Sequence, residues 1–221
     1  MLVKTKAIVI STLKFQEKSL IVKCFTQSHG LKSYFVRNAF SGKKNNQKIA
    51  YFQPLSILEI EAVHKNKGTL EHFKEIKTAI PFQTIHLDIV KSTMVLFLSE
   101  ILHHAIHEEE QNEDLFKYLE TALQWLDTHN ETSNFHLILM LEITKFLGFY
   151  PDTSDQDLPF FEMNEGVFSL FQAISCLSEH ESFLLKKLID LRLDSDQKVF
   201  HIIERQILLK ILIDYYSFHL D

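Results

Sequence analysis

Apolar and polar residues alternate with a period of two through the first 80 residues of the chain, and they recur at intervals of three and four after Pro81. Alternation rich in β-branched and aromatic residues is typical of strands, whereas the longer interval places apolar side chains on one face of a helix. The first pattern predicts five short strands, at residues 4–13, 19–26, 31–40, 55–63 and 70–76. Because five strands are too few for a two-sheet sandwich, they favour a small closed barrel such as the OB-fold.

The second pattern predicts a run of helices. Apolar faces are evident over residues 88–107, 113–127 and 134–147. The third of these ends at Gly148, with Pro151 just beyond, which is a common way for a helix to stop. Three further helices are predicted, over residues 167–177, from the capping box Ser178–Glu181 to about Leu191, and from about Ser195 to Phe218.

Together these patterns predict an α+β protein with two domains. Residues 1–80 form a five-stranded OB-fold β-barrel and residues 81–221 form an all-α helical domain, in which residues 152–166 are an acidic connector. The longest apolar stretches are interrupted by charge before 18 residues, so we expect neither a membrane span nor a signal peptide, and a cytoplasmic location.

Charge is divided at the same place as the periodicity. Residues 1–82 hold 14 Lys and Arg against 5 Asp and Glu, whereas residues 83–221 hold 9 against 24. A basic part followed by an acidic one is typical of a module for polyanions joined to a module for protein contacts.

The usual signatures of nucleotide-dependent or hydrolytic enzymes are absent from the sequence. It contains no phosphate-binding G-x-x-x-x-G-K-[ST] loop, no G-x-G-x-x-G and no G-x-S-x-G. One helix face carries Glu100, His103 or His104, and His107, at a spacing that suits metal ligands. A set of surface histidines explains the same spacing, so we expect no metal site.

Basic residues of the predicted barrel are the candidate nucleic-acid-binding set, because phosphate backbones are held by dense positive charge. Phe15, Tyr34 and Phe35 lie among them, and an exposed ring can stack on a base. The alternative is that the rings belong to the core and the lysines only solvate a small barrel. The candidates are Lys4, Lys6, Lys14, Lys18, Lys32, Tyr34, Arg37, Lys43, Lys44 and Lys48.

The acidic part has a small basic cluster of its own near the C-terminus. Such a cluster beside apolar side chains can accept an acidic peptide from a partner protein, although ordinary pairing with nearby carboxylates is the simpler explanation. The candidate partner-binding residues are Lys186, Lys187, Arg192, Lys198 and Arg205.

Several short segments, taken in order, resemble the RecO family of recombination mediator proteins. The resemblance spans almost the whole chain, and it rests on the ordered set of segments, since none is decisive alone. The segments are residues 4–10, 17–22 and 25–31, Gln53-Pro54-Leu55, Asn112-Glu113-Asp114-Leu115-Phe116 and Leu147-Gly148-Phe149-Tyr150-Pro151.

The resemblance implies an N-terminal OB-fold that binds single- and double-stranded DNA, and a helical C-terminal domain. It also implies non-enzymatic work in recombinational repair, close to the nucleoid. Proteins of this family anneal complementary strands and help to load recombinase onto strands covered by single-stranded-DNA-binding protein, and they associate with RecR.

Many family members hold a zinc ion with four cysteines after the L-G-F-x-P segment. Residues 149–175 contain neither Cys nor His, so we expect no zinc here. Packing of Leu158, Phe160, Phe161 and Phe168 is expected to stabilise the segment instead.

Two other functions remain open on the sequence alone. One is a protein-interaction adaptor whose barrel binds RNA or no nucleic acid. The other is a metal-dependent hydrolase built on the histidine helix.

Overall fold

The chain forms two compact units, Met1–His129 and Asn130–Asp221. The structure is a computed structural model, and it describes residues 1–40, 49–65, 70–107, 111–195 and 198–220. The first unit contains a five-stranded sheet and two helices. The second contains three helices and a short two-stranded hairpin within the described residues.

The sheet of the first unit is antiparallel, with the strand order β3-β2-β1-β4-β5. Its strands are β1 (Leu2–Phe15), β2 (Ser19–Thr26), β3 (Gly30–Val36), β4 (Ile57–Val63) and β5 (His72–Ile80). The long central strand β1 pairs with β2 along its second half and with β4 along its first half. A register shift between Val9 and Ser11 marks a bulge in β1, which increases the local twist and bends the strand.

The two edge strands meet at a single point. The backbone N–H of Phe35 donates to the Glu71 carbonyl oxygen at 2.9 Å, and the N–H of Glu71 donates to the Ser33 carbonyl oxygen at 2.8 Å. This parallel contact brings β3 to the residue before β5. The predicted OB-fold class is confirmed, with the difference that the sheet is partly open and not a closed barrel.

The inner face of the sheet is the core of the first unit. Buried side chains at alternate positions of the strands pack together there, among them Val9, Val22, Tyr34, Leu58 and Ile60. The outer face of the sheet meets the two helices of this unit, α1 (Ile89–Ala105) and α2 (Glu113–Thr128). The rings of Phe25 and Phe116, for example, have centroids 5.9 Å apart.

The connection from β5 to α1 is bound to the last turn of α2. The Asp127 carboxylate accepts the backbone N–H groups of Gln83, Thr84 and Ile85 at 2.8 to 3.0 Å. Buried Lys91 donates to the Thr84 hydroxyl at 2.8 Å and to the Asp127 carbonyl oxygen at 3.2 Å. Strands give way to helices after Ile80, as the sequence predicts, but α1 and α2 belong to the same compact unit as the sheet. The proposed domain boundary near residue 80 stays a prediction.

The second unit is built on helices. They are α3 (Phe135–Leu147), α4 (Glu179–Asp190) and α5 (Ile202–His219). The predicted C-terminal end of α3 is confirmed, because Gly148 adopts a left-handed φ of 86°. The predicted start of α4 is confirmed as well, because Ser178 and Glu181 form a reciprocal capping box. The last helix begins at Ile202, several residues later than predicted, and the Glu204 carboxylate accepts the His201 N–H at 2.7 Å where it starts.

The prediction of a helix over residues 167–177 is wrong. The chain instead forms a hairpin of two very short strands, β6 (Phe160–Glu162) and β7 (Val167–Ser169). Three-residue strands are too short to show a period, so an apolar run there does not distinguish strand from helix. None of the described helices is both long enough and apolar enough to cross a membrane.

Candidate nucleic-acid interface

Lys4 and Lys6 lie on a part of the sheet where lysine and glutamate alternate. The register places Lys4 opposite Glu61 and Lys6 opposite Glu59. The Lys4 ammonium is 3.5 Å from Glu61, and the Lys6 ammonium donates to Glu120 on α2 at 2.7 Å. Lys74 and Lys77 of β5 pair in the same way, with Glu61 and Glu75. These lysines are partly neutralised by neighbouring carboxylates.

A different group of cations stands at the far end of β1, β2 and β3. We call it the hairpin-end surface and define it by Lys14, Phe15, Lys18, Phe35 and Arg37. The register pairs Leu13 with Ile21 and Ile21 with Phe35. Leu13, Ile21 and Phe35 therefore lie on the same face of the sheet. Phe15 is two residues after Leu13 and points to that face as well.

Two of the cations at this end of the sheet lie next to aromatic rings. The Phe15 and Phe35 rings meet nearly at right angles, with centroids 5.9 Å apart. The Arg37 guanidinium lies 6.0 Å from the Phe35 ring centre, and the Lys14 ammonium lies 5.5 Å from that of Phe40. Within the described residues, no carboxylate pairs with Lys14, Lys18 or Arg37. These charges are available to an anionic ligand.

Tyr34 was wrongly predicted to face nucleic acid. Its side chain is fully buried, its hydroxyl contacts His64 Nε2 at 2.8 Å, and its ring stacks on Phe73 with centroids 4.2 Å apart. Burial raises the pKa of the Tyr34 hydroxyl, with smaller contributions from Cys24 and Glu71. The neighbouring residue Phe35 points to the other face and is the ring that solvent can reach.

The remaining barrel candidates are less informative. Lys32 is half-buried on β3. Lys43, Lys44 and Lys48 lie outside the described residues. The role of all the candidates in DNA binding stays a prediction.

The C-terminal basic residues do not form one open cluster. Lys187 and Arg205 gather around Phe200: the Lys187 ammonium lies 5.0 Å from its ring centre, and Arg205 donates to its carbonyl oxygen at 2.6 Å. Lys186 lies elsewhere, where it donates to the Leu158 carbonyl oxygen at 2.6 Å.

Arg192 and Lys198 are the more exposed members of that set. Arg192 donates to the Ile189 carbonyl oxygen at 2.7 Å, and Lys198 lies 3.5 Å from Glu131. Of the five candidates, these two therefore present most of their charged side chain to solvent.

The histidines of α1 are used within the first unit. His103 Nδ1 lies 3.3 Å from the Ser11 hydroxyl, and His104 Nε2 is 3.9 Å from Glu100. Burial lowers the pKa of His103, and the positive charge of Lys23 lowers it further. In the part of the chain that the structure describes, no three His, Cys, Asp or Glu side chains are grouped as metal ligands.

The β6–β7 hairpin lies in the segment expected to rely on packing. Phe161 and Phe168 are buried with ring centroids 5.0 Å apart, and the Phe161 ring also lies 5.7 Å from Tyr215. Leu158 and Phe160 are half-buried. The aromatic packing predicted for this segment is confirmed.

Both parts of the chain match models of one protein family. Residues 1–82 match the recombination protein O N-terminal model, and residues 86–221 match the recombination protein O C-terminal model. The chain belongs to the RecO family. Relatives named DNA repair protein RecO include that of Flavobacterium johnsoniae, which is 75% identical over the whole chain and 93% of the relative's length.

Other RecO relatives agree over the same extent. The protein of Flavobacterium psychrophilum is 71% identical, and that of Christiangramia forsetii is 40% identical; each match covers the whole chain and 93% of the relative. As a RecO-family member, the chain is a DNA repair protein that acts in recombination. The residues between the two RecO family models, Gln83–Ile85, are the ones whose N–H groups bind Asp127.

Proposed function

We propose that this RecO-family protein is a non-enzymatic mediator of recombination that binds single- and double-stranded DNA through the sheet of its first unit. The observation that carries the proposal is the contrast between two sets of cations. Lys14, Lys18 and Arg37 are exposed and lack carboxylate partners within the described chain, and Lys14 and Arg37 lie next to aromatic rings. Lys4 and Lys6, in contrast, are paired with glutamates.

We propose that the same cations support strand annealing. Cations that neutralise two phosphate backbones reduce their mutual repulsion, and base pairing supplies the specificity. Annealing needs positive charge and the close approach of two strands, but it breaks no covalent bond in the protein or the DNA. We therefore propose that annealing proceeds without a nucleotide cofactor or a metal ion.

The acidic second unit is proposed to contact proteins. The net negative charge of the second unit repels a phosphate backbone. This unit is therefore better suited to contact partner proteins than DNA. We propose RecR and single-stranded-DNA-binding protein as the partners, with the recombinase acting indirectly, at the cytoplasmic nucleoid. Within the candidate set, Arg192 and Lys198 are the side chains best exposed to meet an acidic segment.

Fluorescence anisotropy with labelled single-stranded DNA, duplex DNA and RNA of one sequence tests the DNA-binding part. We expect binding to both DNA forms that weakens steeply with salt. Binding to RNA alone, or to none of the three, contradicts the proposal and supports the adaptor alternative.

The mediator part needs strands coated with the cognate single-stranded-DNA-binding protein. We expect faster pairing of two complementary coated strands when the full chain is added, without ATP and in the presence of a chelator. An unchanged pairing rate contradicts mediator activity even if DNA binding is observed.

A further inference from the structure

The edges of the open sheet enclose a cleft. Beyond the contact at Glu71, β3 and β5 separate and leave a cavity of about 450 Å³ between them. Its floor is formed by Val36, Tyr51, Phe73 and Ile76, which pack against the core of the first unit. Its rim carries Phe35, Arg37 and His72. We call this cavity the seam cleft.

The seam cleft has the size and lining of a small-ligand site. Such sites commonly occupy about 300 to 1,000 Å³ and combine an apolar floor with a few polar groups. A single nucleotide fits within this range, whereas a duplex does not. The cleft adjoins the hairpin-end surface, because Phe35 and Arg37 belong to both.

The Phe35 ring is suited to stacking. Its ring neighbours, Phe15 and His72, meet it edge-on, at interplanar angles of 83° and 74°. No ring lies parallel to it in the described part of the chain, in contrast to Tyr34, whose face is covered by Phe73 at an interplanar angle of 15°. A flat group that enters the cleft can therefore lie against Phe35 without displacing another ring.

The charges on the rim favour an anionic ligand. The exposed Arg37 guanidinium lies over one face of the Phe35 ring, so that a base would stack on the other face. The carboxylate of Glu75 in the same cleft is paired with Lys77 at 2.9 Å. A base stacked on Phe35 carries a phosphate on each side, and Arg37 is the cation next to the ring. An aromatic ring flanked by cations is the usual platform for single-stranded nucleic acid.

We propose that the seam cleft holds one unpaired nucleobase, stacked on Phe35, with Arg37 on the adjacent phosphate. This inference rests on the proposed DNA binding and adds a preference for unpaired strands, because a base inside a duplex does not offer its face to a ring. An extended peptide is the alternative occupant. It would pair with the backbone edges of β3 and β5 and would not need the Phe35 ring.

The test uses the full chain and three labelled oligonucleotides of equal length: single-stranded thymidine, the same strand with abasic sites, and a duplex. The variant Phe35→Leu keeps apolar bulk and removes the ring, and Phe35→Trp keeps a ring. Phe183→Leu, at an exposed phenylalanine of the second unit, is the matched control. Circular dichroism melts establish that each variant is folded.

We expect Phe35→Leu to weaken binding to the thymidine strand about 10-fold, and to change binding to the abasic strand and the duplex less than about twofold. Phe35→Trp and Phe183→Leu should bind as the wild type does. A 2-aminopurine base in the strand should lose fluorescence on binding to the wild type and much less with Phe35→Leu.

The outcomes separate this inference from the proposed function. If the wild type binds none of the oligonucleotides, both fail. If the wild type binds DNA but Phe35→Leu loses nothing, or loses equally on all three, only the base site is overturned; an unchanged affinity is the result expected if the cleft serves a peptide.

Discussion

The Asp127 carboxylate accepts the backbone N–H of Thr84 at 2.8 Å, and the Thr84 hydroxyl donates to the Asp127 carbonyl oxygen at 2.6 Å. This exchange holds the chain just after the sheet against the end of α2. It explains why α1 and α2 form one compact unit with the strands, even though their sequence matches the C-terminal family model.

Removing the Asp127 carboxylate should destabilise the first unit. Asp127→Ala leaves three backbone N–H groups without their acceptor, and we expect the free energy of unfolding to fall by about 3 kcal/mol. Urea unfolding followed by circular dichroism measures the change. Asp114→Ala, at an exposed position in the first turn of α2, is the control and should change stability by less than about 1 kcal/mol. Equal effects of the two substitutions contradict the role given to Asp127.

Acid should weaken the same contact. Burial raises the pKa of the Asp127 carboxyl, but the N–H groups of Gln83, Thr84 and Ile85 outweigh this effect, so its pKa lies below the ordinary value. A carboxyl whose pKa is lowered by folding stabilises the protein above its unfolded pKa and loses that contribution as pH falls through the folded pKa. The difference in unfolding free energy between wild type and Asp127→Ala should therefore shrink below about pH 4. A difference that is constant from pH 6 to pH 3 contradicts this account.

His136 on α3 should make the second unit sensitive to acid. Burial lowers the pKa of His136 to about 4, and Arg205 adds to the effect. As pH falls, His136 of the unfolded chain takes up a proton near pH 6.5, whereas His136 of the folded chain does so only near pH 4. The free energy of unfolding therefore decreases as pH falls from 6.5 towards 4. Between pH 7 and pH 4, the protonation of His136 in the unfolded chain should lower the free energy of unfolding by about 3 kcal/mol.

The variant His136→Leu tests that assignment, because it removes the proton uptake and keeps apolar bulk. Thermal melts from pH 7 to pH 4 should show a shallower loss of stability for His136→Leu than for the wild type. His180→Leu, at an exposed histidine in the first turn of α4, should leave the slope unchanged. A wild-type slope in His136→Leu would show that other groups cause the acid sensitivity.

Two glycines form a matched pair in the second unit. Gly148 and Gly166 both have a left-handed φ, of 86° and 69°, but a methyl group at Gly148 meets open space whereas one at Gly166 would lie 2.5 Å from the Tyr215 hydroxyl oxygen. We expect Gly148→Ala to cost about 1 kcal/mol and Gly166→Ala to cost clearly more.

A double-mutant cycle separates backbone strain from the clash. Tyr215→Phe removes the hydroxyl that donates to the Phe149 carbonyl oxygen at 2.8 Å. The cost of Gly166→Ala should be smaller in the Tyr215→Phe background than in the wild type. If the cost is the same in both backgrounds, the close approach has no energetic role.

The elements were predictable where a period or a cap extends over several residues. The five strands, α3 with its Gly148 end and α4 with its Ser178 cap follow from such signals. The β6–β7 hairpin was missed, because three-residue strands show no period. Its turn contains Gly166, where a side chain would meet the Tyr215 hydroxyl, and this contact cannot be read from the sequence.

The site was predictable in composition but not in detail. Alternation places Tyr34 and Phe35 on opposite faces of β3, but it does not say which face is the core. The register of β3 on β2 sets Tyr34 opposite buried Val22 and so decides it. In the same way, Lys4 and Lys14 look alike in sequence. Strand register decides that Lys4 lies opposite Glu61, whereas Lys14 does not meet a carboxylate among the described residues.

The most direct test of DNA binding by the hairpin-end surface is the salt dependence of binding to single-stranded DNA for two charge-matched variants. One is Lys14→Gln/Lys18→Gln/Arg37→Gln; the other is Lys4→Gln/Lys74→Gln/Lys77→Gln, which removes the same charge from lysines already paired with glutamates. We predict that the first lowers the slope of log K against log salt by about 2, and that the second leaves it nearly unchanged. Equal slopes for the two variants, or a larger loss with the second, would contradict the account.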